Sequence, residues 1–236
     1  VECAVSIIAL WLIKPGVNFQ LFSDKFVELS ALIAFPLTVI GLVWITNVYN
    51  FMDGIDGLVT SQVILSSIVI AGWFTFYEDV GVALFCLALG GAGVGFLFFN
   101  WSPSKIFLGD AGSLTFGAVL GLLAVYGILV HQMPVTAFVL LYGIFLIDTL
   151  VTMIRRILGG ERWWEAHSTH FYQRLVRTGV SHQRVCVLAI LGSVGLAVFG
   201  TLEILSIGHG LLWLALGVLV MCVIMMIVHV RETRLR

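Results

Sequence analysis

Apolar stretches nearly as long as a bilayer is thick recur along this chain, and they settle its class of fold before any single residue is weighed. A hydrocarbon core of roughly 30 Å takes about 20 helical residues to cross. Eight such stretches are read at 1–13 (short), 31–48, 58–77, 81–99, 114–130, 135–154, 186–205 and 211–230. Unbroken apolar runs lack the two-residue alternation of a membrane barrel, so helix is the spanning form that satisfies the backbone in lipid. The 11% of charged residues agrees, since soluble domains carry about 25%. The expectation is an all-α, polytopic transmembrane helix bundle of about eight spans, a single integral-membrane domain over 1–236. No repeat, low-complexity tract or linker divides it. The 155–185 loop is its only extended soluble feature, with a short amphipathic helix expected around Phe171 to Thr178.

The chain opens on Val1 with a short span and no charged leader, so no signal peptide is read and an N-terminal part is expected to be missing. Cys3, Cys86, Cys186 and Cys222 stand singly in or beside apolar spans without CxxC spacing, as packing residues do.

If the spans alternate, loops 49–57, 100–113 and 155–185 share one face with the C-terminal tail. Ten of the twelve Lys and Arg lie there: Lys105, Arg155, Arg156, Arg162, Arg174, Arg177, Arg184, Arg231, Arg234 and Arg236. Only Lys14 and Lys25 lie on the other side. The positive-inside rule makes the first face cytoplasmic.

The same face collects the polar chemistry. In "NVYNFMDGIDG", Asn47, Asn50, Asp53 and Asp56 follow one another at steps of three. On an ideal helix the first three stay within about 120° of arc. Gly54 and Gly57 can release the helix so that Asp56 turns back toward a shared site. A capped helix end in headgroup water is the plainer account, but an aspartate costs about 2.5–3.5 kcal/mol at mid-bilayer, and four polar residues on a repeating step favour a site. The second loop, "NWSPSKIFLGDAGS", carries Asn100, Lys105, Phe107 and Asp110 ahead of Gly112 and Ser113. A small-residue turn at a helix start turns N–H groups toward an anion, and one carboxylate among them suits Mg²⁺. An ordinary N-cap explains Asp110 or Ser113 equally well, and Phe107 on its own reads as interfacial packing.

In the third loop, His167 and His170 stand three apart in "EAHSTHFYQRL", with Arg162 and Arg174 nearby. No third soft ligand accompanies them, so they read as phosphate contacts rather than a metal pair. Trp163 and Trp164 read as interfacial anchors. Asp148, near the inner end of a span, is either a functional carboxylate or half of a structural ion pair. His131, His209 and His229 are given no role, and His182 reads as a solvated loop residue.

Carboxylates bridged to a phosphate by a divalent cation stabilise it, and a diphosphate donor beside an apolar bundle calls for a lipid-tailed second substrate. The absence of a Walker A motif leaves ATP hydrolysis unsupported, and nothing points to nucleic acid. The competing class is a cation-coupled membrane transporter, which would place its charges near mid-bilayer on broken helices. A cell-wall assembly scaffold explains the spans and none of the loops.

"NVYNFMDGIDGL", "FNWSPSKIFLGDAGSL" and "HSTHFYQRL", in this order on one face, resemble the polyprenyl-phosphate N-acetylhexosamine-1-phosphate transferases, glycosyltransferase family 4, relatives of phospho-MurNAc-pentapeptide transferase. The resemblance implies Mg²⁺-dependent transfer of a HexNAc-1-phosphate from a UDP-N-acetylhexosamine to polyprenyl phosphate in the bilayer, releasing UMP, with Mn²⁺ able to replace Mg²⁺. It implies Asp110 as the magnesium ligand and Asn50, Asp53 and Asp56 as polar positions of the nucleotide-sugar pocket, with Asn47 beside them. It implies backbone contact to uracil at Gly54 and Ile55, stacking on uracil by Phe107 and a polar contact from Asn100. His167 and His170, with Arg174, are implied at the diphosphate. Dimers are common in the family; the spans carry no sign of one.

Two departures qualify the match. The family's His-x-His-His loop has Thr169 in its third position here, which looks more like the branch that starts O-antigen or capsule chains than the MurNAc-pentapeptide branch. The family's N-terminal Asp-Asp motif is not in this sequence, so this fragment alone is expected to be inactive.

Overall fold

A computed structural model describes residues 17–162 and 168–233. The expected span at 1–13, with Trp163, Trp164 and His167, therefore lies outside the described residues. The described chain opens with a hairpin, β1 (Val17–Phe22) and β2 (Lys25–Leu29), pairing Val17 with Leu29 and Phe22 with Lys25. Nine helices follow among the described residues: α1 (Ala31–Phe51), α2 (Leu58–Phe76), α3 (Val80–Asn100), α4 (Gly109–Val130), α5 (Val135–Leu141), α6 (Gly143–Leu158), α7 (Phe171–Arg177), α8 (His182–Ile204) and α9 (Gly210–Thr233). Six are long and apolar enough to cross a membrane, or up to seven spans if the bent pair α5–α6 counts as one. This is the all-α polytopic membrane bundle expected from the apolar runs.

Two features depart from the sequence reading. The hairpin stands where 14–30 read as a loop, and it is fastened to the bundle. The Thr136 hydroxyl donates to Leu21 O at 3.0 Å and the Ser23 N–H to Glu203 Oε1 at 2.5 Å. The stretch read as one span over 135–154 is two helices bent by 80°. Averaged hydropathy cannot see such a break. It falls at Tyr142, whose hydroxyl bonds Leu120 O at 3.0 Å, and at Gly143, where a β-carbon would come within 2.8 Å of Leu196 Cδ1. Beyond the bend, α6 turns Asp148, Thr149, Thr152 and Arg156 inward and leaves Leu150, Ile154, Ile157 and Leu158 exposed, the inverse of a soluble amphipathic helix.

The core joins Tyr49, Met52, Phe74, Trp73, Phe138 and Phe145. Between α1 and α4 the backbones approach closely. A β-carbon on Gly117 would lie 2.9 Å from Thr46 Cα, and one on Gly121 2.5 Å from Ile45 Cγ2. Lipid offers no hydrophobic force between helices, so such small-residue contacts carry much of the packing. Here they set the last turn of α1 against the first turn of α4, which is where the polar loops meet.

Candidate active site

Helix α1 ends at Phe51, so Asn50 stands on its last turn, while Asp110 stands on the first turn of α4. The Asn50 amide donates to Asp110 Oδ1 at 2.9 Å and to the buried Ser113 Oγ at 3.1 Å. Asp53 follows in the turn after α1. Burial pushes its carboxyl up to about 6; the Gly109 N–H pulls it down, and the charge of Asp110 adds to the rise. Two loops far apart in the sequence thus bring two carboxylates close enough to repel.

Asp56 does not turn back to this pair. Its Oδ1 accepts from the Ser104 hydroxyl at 2.8 Å and its Oδ2 from the Ser104 N–H at 3.3 Å, with His182 Nδ1 at 3.6 Å. Burial raises its carboxyl, but the Ser104 bonds outweigh that and hold it below the ordinary range. His182, read from sequence as merely solvated, joins this clasp. Beside it Gln183 donates to Ser102 O at 2.6 Å, fastening the start of α8 to the second loop.

Asn100 is buried, and its amide is a staple between the same loops. Oδ1 accepts from Gly57 N at 3.2 Å and Thr60 Oγ1 at 2.8 Å, while Nδ2 donates to Ile106 O at 3.0 Å. Gly57 has φ +77, which a side chain tolerates poorly. Phe107, beyond the staple, is 77% exposed, a bare aromatic face at the rim. Ile55 has its side chain in the core, leaving its backbone to the site. Asn47 donates to Val43 O of its own helix at 2.8 Å and is not brought to the carboxylates.

The third loop reaches the first through α7. His170 caps that helix and is buried, its Nδ1 3.0 Å from Asp148 Oδ1. The carboxylate also accepts from Phe171 N at 2.9 Å and Tyr172 N at 3.2 Å, so the proton of the imidazole belongs on Nδ1. The Tyr172 hydroxyl donates to Phe51 O at 3.0 Å, and a β-carbon on Gly54 would strike that hydroxyl. Asp148, left undecided by sequence, is the anchor of the histidine. The signal was present, because an ionisable residue in an apolar span has to find a partner. Arg174 is turned the other way: its guanidinium is paired with Glu232 through Nε at 2.8 Å and again through Nη2, and lies over the Phe171 ring. The structure does not bring it to the carboxylates, because a partly buried two-point ion pair holds it against α9.

The family model described as glycosyl transferase family 4 matches residues 1–128, more than half of the chain and both carboxylate loops. The chain belongs to glycosyl transferase family 4. Among similar family 4 proteins, a probable undecaprenyl-phosphate N-acetylglucosaminyl 1-phosphate transferase of Bacillus subtilis is 29% identical over 93% of this chain and 62% of its own. Phospho-N-acetylmuramoyl-pentapeptide-transferases of Clostridium beijerinckii and Halalkalibacterium halodurans are 42% and 36% identical, over 51% and 64% of this chain and 35% and 46% of theirs. The chain thus spans about a third to three-fifths of the length of these relatives.

Proposed function

We propose that the full-length protein transfers a HexNAc-1-phosphate from a UDP-sugar to polyprenyl phosphate and releases UMP, on the cytoplasmic face of the bacterial inner membrane. The observation that carries this reading is the junction of two loops that end different spans: Asn50 donates to Asp110 at 2.9 Å and to Ser113 at 3.1 Å, and the Gly109 N–H bonds Asp53. A cation-coupled transporter is less well supported, since these carboxylates lie where helices end.

The residues present fit Mg²⁺. Two mutually repelling carboxylates with an amide and a hydroxyl form a hard-oxygen set, and Mg²⁺ takes one or two carboxylates and leaves its other positions to phosphate and water. No group of three or more His, Cys, Asp or Glu that could hold a metal is found among the described residues. Asp110 and Asp53 would hold the ion, which when bound neutralises charge on the donor diphosphate; Mn²⁺ would serve in its place. Asn50 fixes the rotamer of Asp110. Asp148 sets the imidazole of His170 for a diphosphate oxygen, with His167 placed beside it by the motif alone. Phe107 offers its exposed face to uracil, and the Gly54 and Ile55 backbone its edge. Asn100 and Asp56 act by holding the two loops in register, Asp56 at the pocket wall.

A small HexNAc derivative as donor, as in O-antigen or another cell-envelope polysaccharide, is supported by Thr169 in the histidine loop. The N-acetylglucosaminyl relative matches over most of the chain, whereas the two pentapeptide-transferases named above match over less. The test uses full-length protein with undecaprenyl phosphate, Mg²⁺ and a panel of UDP-HexNAc donors. Asp110→Asn is expected to cut UMP release roughly a hundredfold or more, the several kcal/mol that metal-borne charge stabilisation supplies, with the melting temperature retained. Normal turnover by this variant would overturn the reading.

A further inference from the structure

On the α9 flank of α7, away from the carboxylates, a cavity of about 480 Å³ is lined by Arg155, Phe171, Arg174, Met225, Met226 and His229. Its two guanidiniums come from the end of α6 and from α7, and its α9 residues from near the end of that helix, where the apolar runs stop. That is the headgroup level of the leaflet on the polar-loop side.

Charge and surface at this spot are those of a phosphate-headed lipid site. Arg174 is matched by Glu232. Arg155 donates to Thr169 O at 2.8 Å and stands close enough to Arg174 for the two cations to repel. Glu161, which also acts on Arg155, is bridged to Arg156 at 2.9 Å. Asp148, the other carboxylate that acts on Arg155, is taken up by His170 and the Phe171 and Tyr172 N–H groups. Among the described residues the cavity therefore sets two guanidiniums against the carboxylate of Glu232, beside two methionines and a phenylalanine. Toward the bilayer centre the same helices are apolar and exposed: Leu150 and Ile154 on α6, Val223 and Met226 on α9. A free anion has no use for that apolar surface; a headgroup with acyl chains has use for both parts.

We propose that this cavity binds the phosphate of an anionic bilayer phospholipid, bridging Arg155 on α6 and Arg174 on α7. The opposite flank of α7 is fastened to the first loop by Tyr172 and carries His170 at its start. A lipid here clamps the helix that presents the histidine. The binding itself stands apart from the transferase reading; only its effect on His170 rests on it.

Native mass spectrometry of the delipidated chain in neutral detergent tests the site, and activity is not its readout. Wild type is expected to retain one phosphatidylglycerol in preference to phosphatidylcholine, undisturbed by inorganic phosphate. Arg155→Gln should weaken that binding about fivefold, the effect of one basic residue at an anionic surface, and Arg155→Lys should largely keep it. Met226→Glu, a change at an exposed position that puts an anion beside the headgroup, should weaken it without touching the arginines. Equal retention of the two lipids, or unchanged binding in both Arg155→Gln and Met226→Glu, would overturn the proposal. So would displacement by inorganic phosphate alone. Tighter, competitive binding of polyprenyl phosphate would overturn it too, by making the cavity the acceptor's.

Discussion

Asp53 and Asp79 lie at opposite ends of the bundle, and the contrast between them separates a carboxylate that builds the fold from one the fold leaves wanting. Asp79 caps α3 through Val82 N at 3.2 Å and accepts from the Tyr126 hydroxyl at 3.0 Å and His131 Nε2 at 2.9 Å. Burial raises its carboxyl, but these donors outweigh that and hold it below its ordinary range. Asp53 is half-buried with one backbone donor and a second carboxylate for company, and its carboxyl rises to about 6. A satisfied acid is structure; an acid held near another without a cation is a place for one.

The contrast breaks most readily at Asp79. Asp79→Asn loses a cap and the charged acceptor for two side chains, which should cost about 1–2 kcal/mol, read as a lower melting temperature in detergent. Because the folded-state pKa is depressed, that stabilisation is present above the ordinary carboxylate range and lost as pH falls through the depressed value. The gap between wild type and Asp79→Asn should therefore close in acid. A gap that widened in acid would show that Asp79 is not held ionised by its partners.

Asp53 carries the opposite sign. A raised pKa means the ionised carboxylate burdens the fold at pH 7, and the burden lifts as pH falls through about 6 toward the unfolded value. Asp53→Asn should raise the melting temperature of metal-free protein at pH 7 to 8, and the difference should vanish near pH 4. Adding Mg²⁺ should shrink the difference at neutral pH by stabilising wild type alone. A destabilising Asp53→Asn at neutral pH without metal would put Asp53 in the same class as Asp79.

The spans and the polar face were legible because both rest on local quantities: apolar run length, charge asymmetry and the step of three through Asn47, Asn50 and Asp53. The hidden features are long-range. Asp56 shares that step, yet its partners are Ser104 and His182, which a helical-wheel argument cannot reach. Asp148 lies in an apolar average, and only the bend at Tyr142 and the packing of α7 show that it holds His170. Arg174, grouped with the histidines by nearness in sequence, faces Glu232 on the last helix. Asn47 satisfies itself within one turn, as asparagine on a helix often does. Alternation of the spans put the three loops on one face, but could not say which side chain of each loop faces which.

Aromatic rings repeat the contrast with a smaller expected effect. At the Asp79 end, Phe74, Tyr77 and Tyr126 surround the His131 ring at centroid distances of 5.6, 5.7 and 5.6 Å, so each ring already has its neighbours. At the Asp53 end, Phe107 is 77% exposed on a loop that Asn100 and Asp56 hold in place. A large apolar side chain spends nothing of the fold when removed from such a position, so Phe107→Ala should leave the melting temperature within about 0.5 kcal/mol of wild type. Stacking of a base on an aromatic face supplies about 1–3 kcal/mol, so the same variant should bind a uridine nucleotide roughly fivefold to a hundredfold more weakly by calorimetry. Unchanged uridine affinity together with lost stability would make Phe107 a packing residue like the rings around His131, and the two ends of the bundle would then differ in their acids alone.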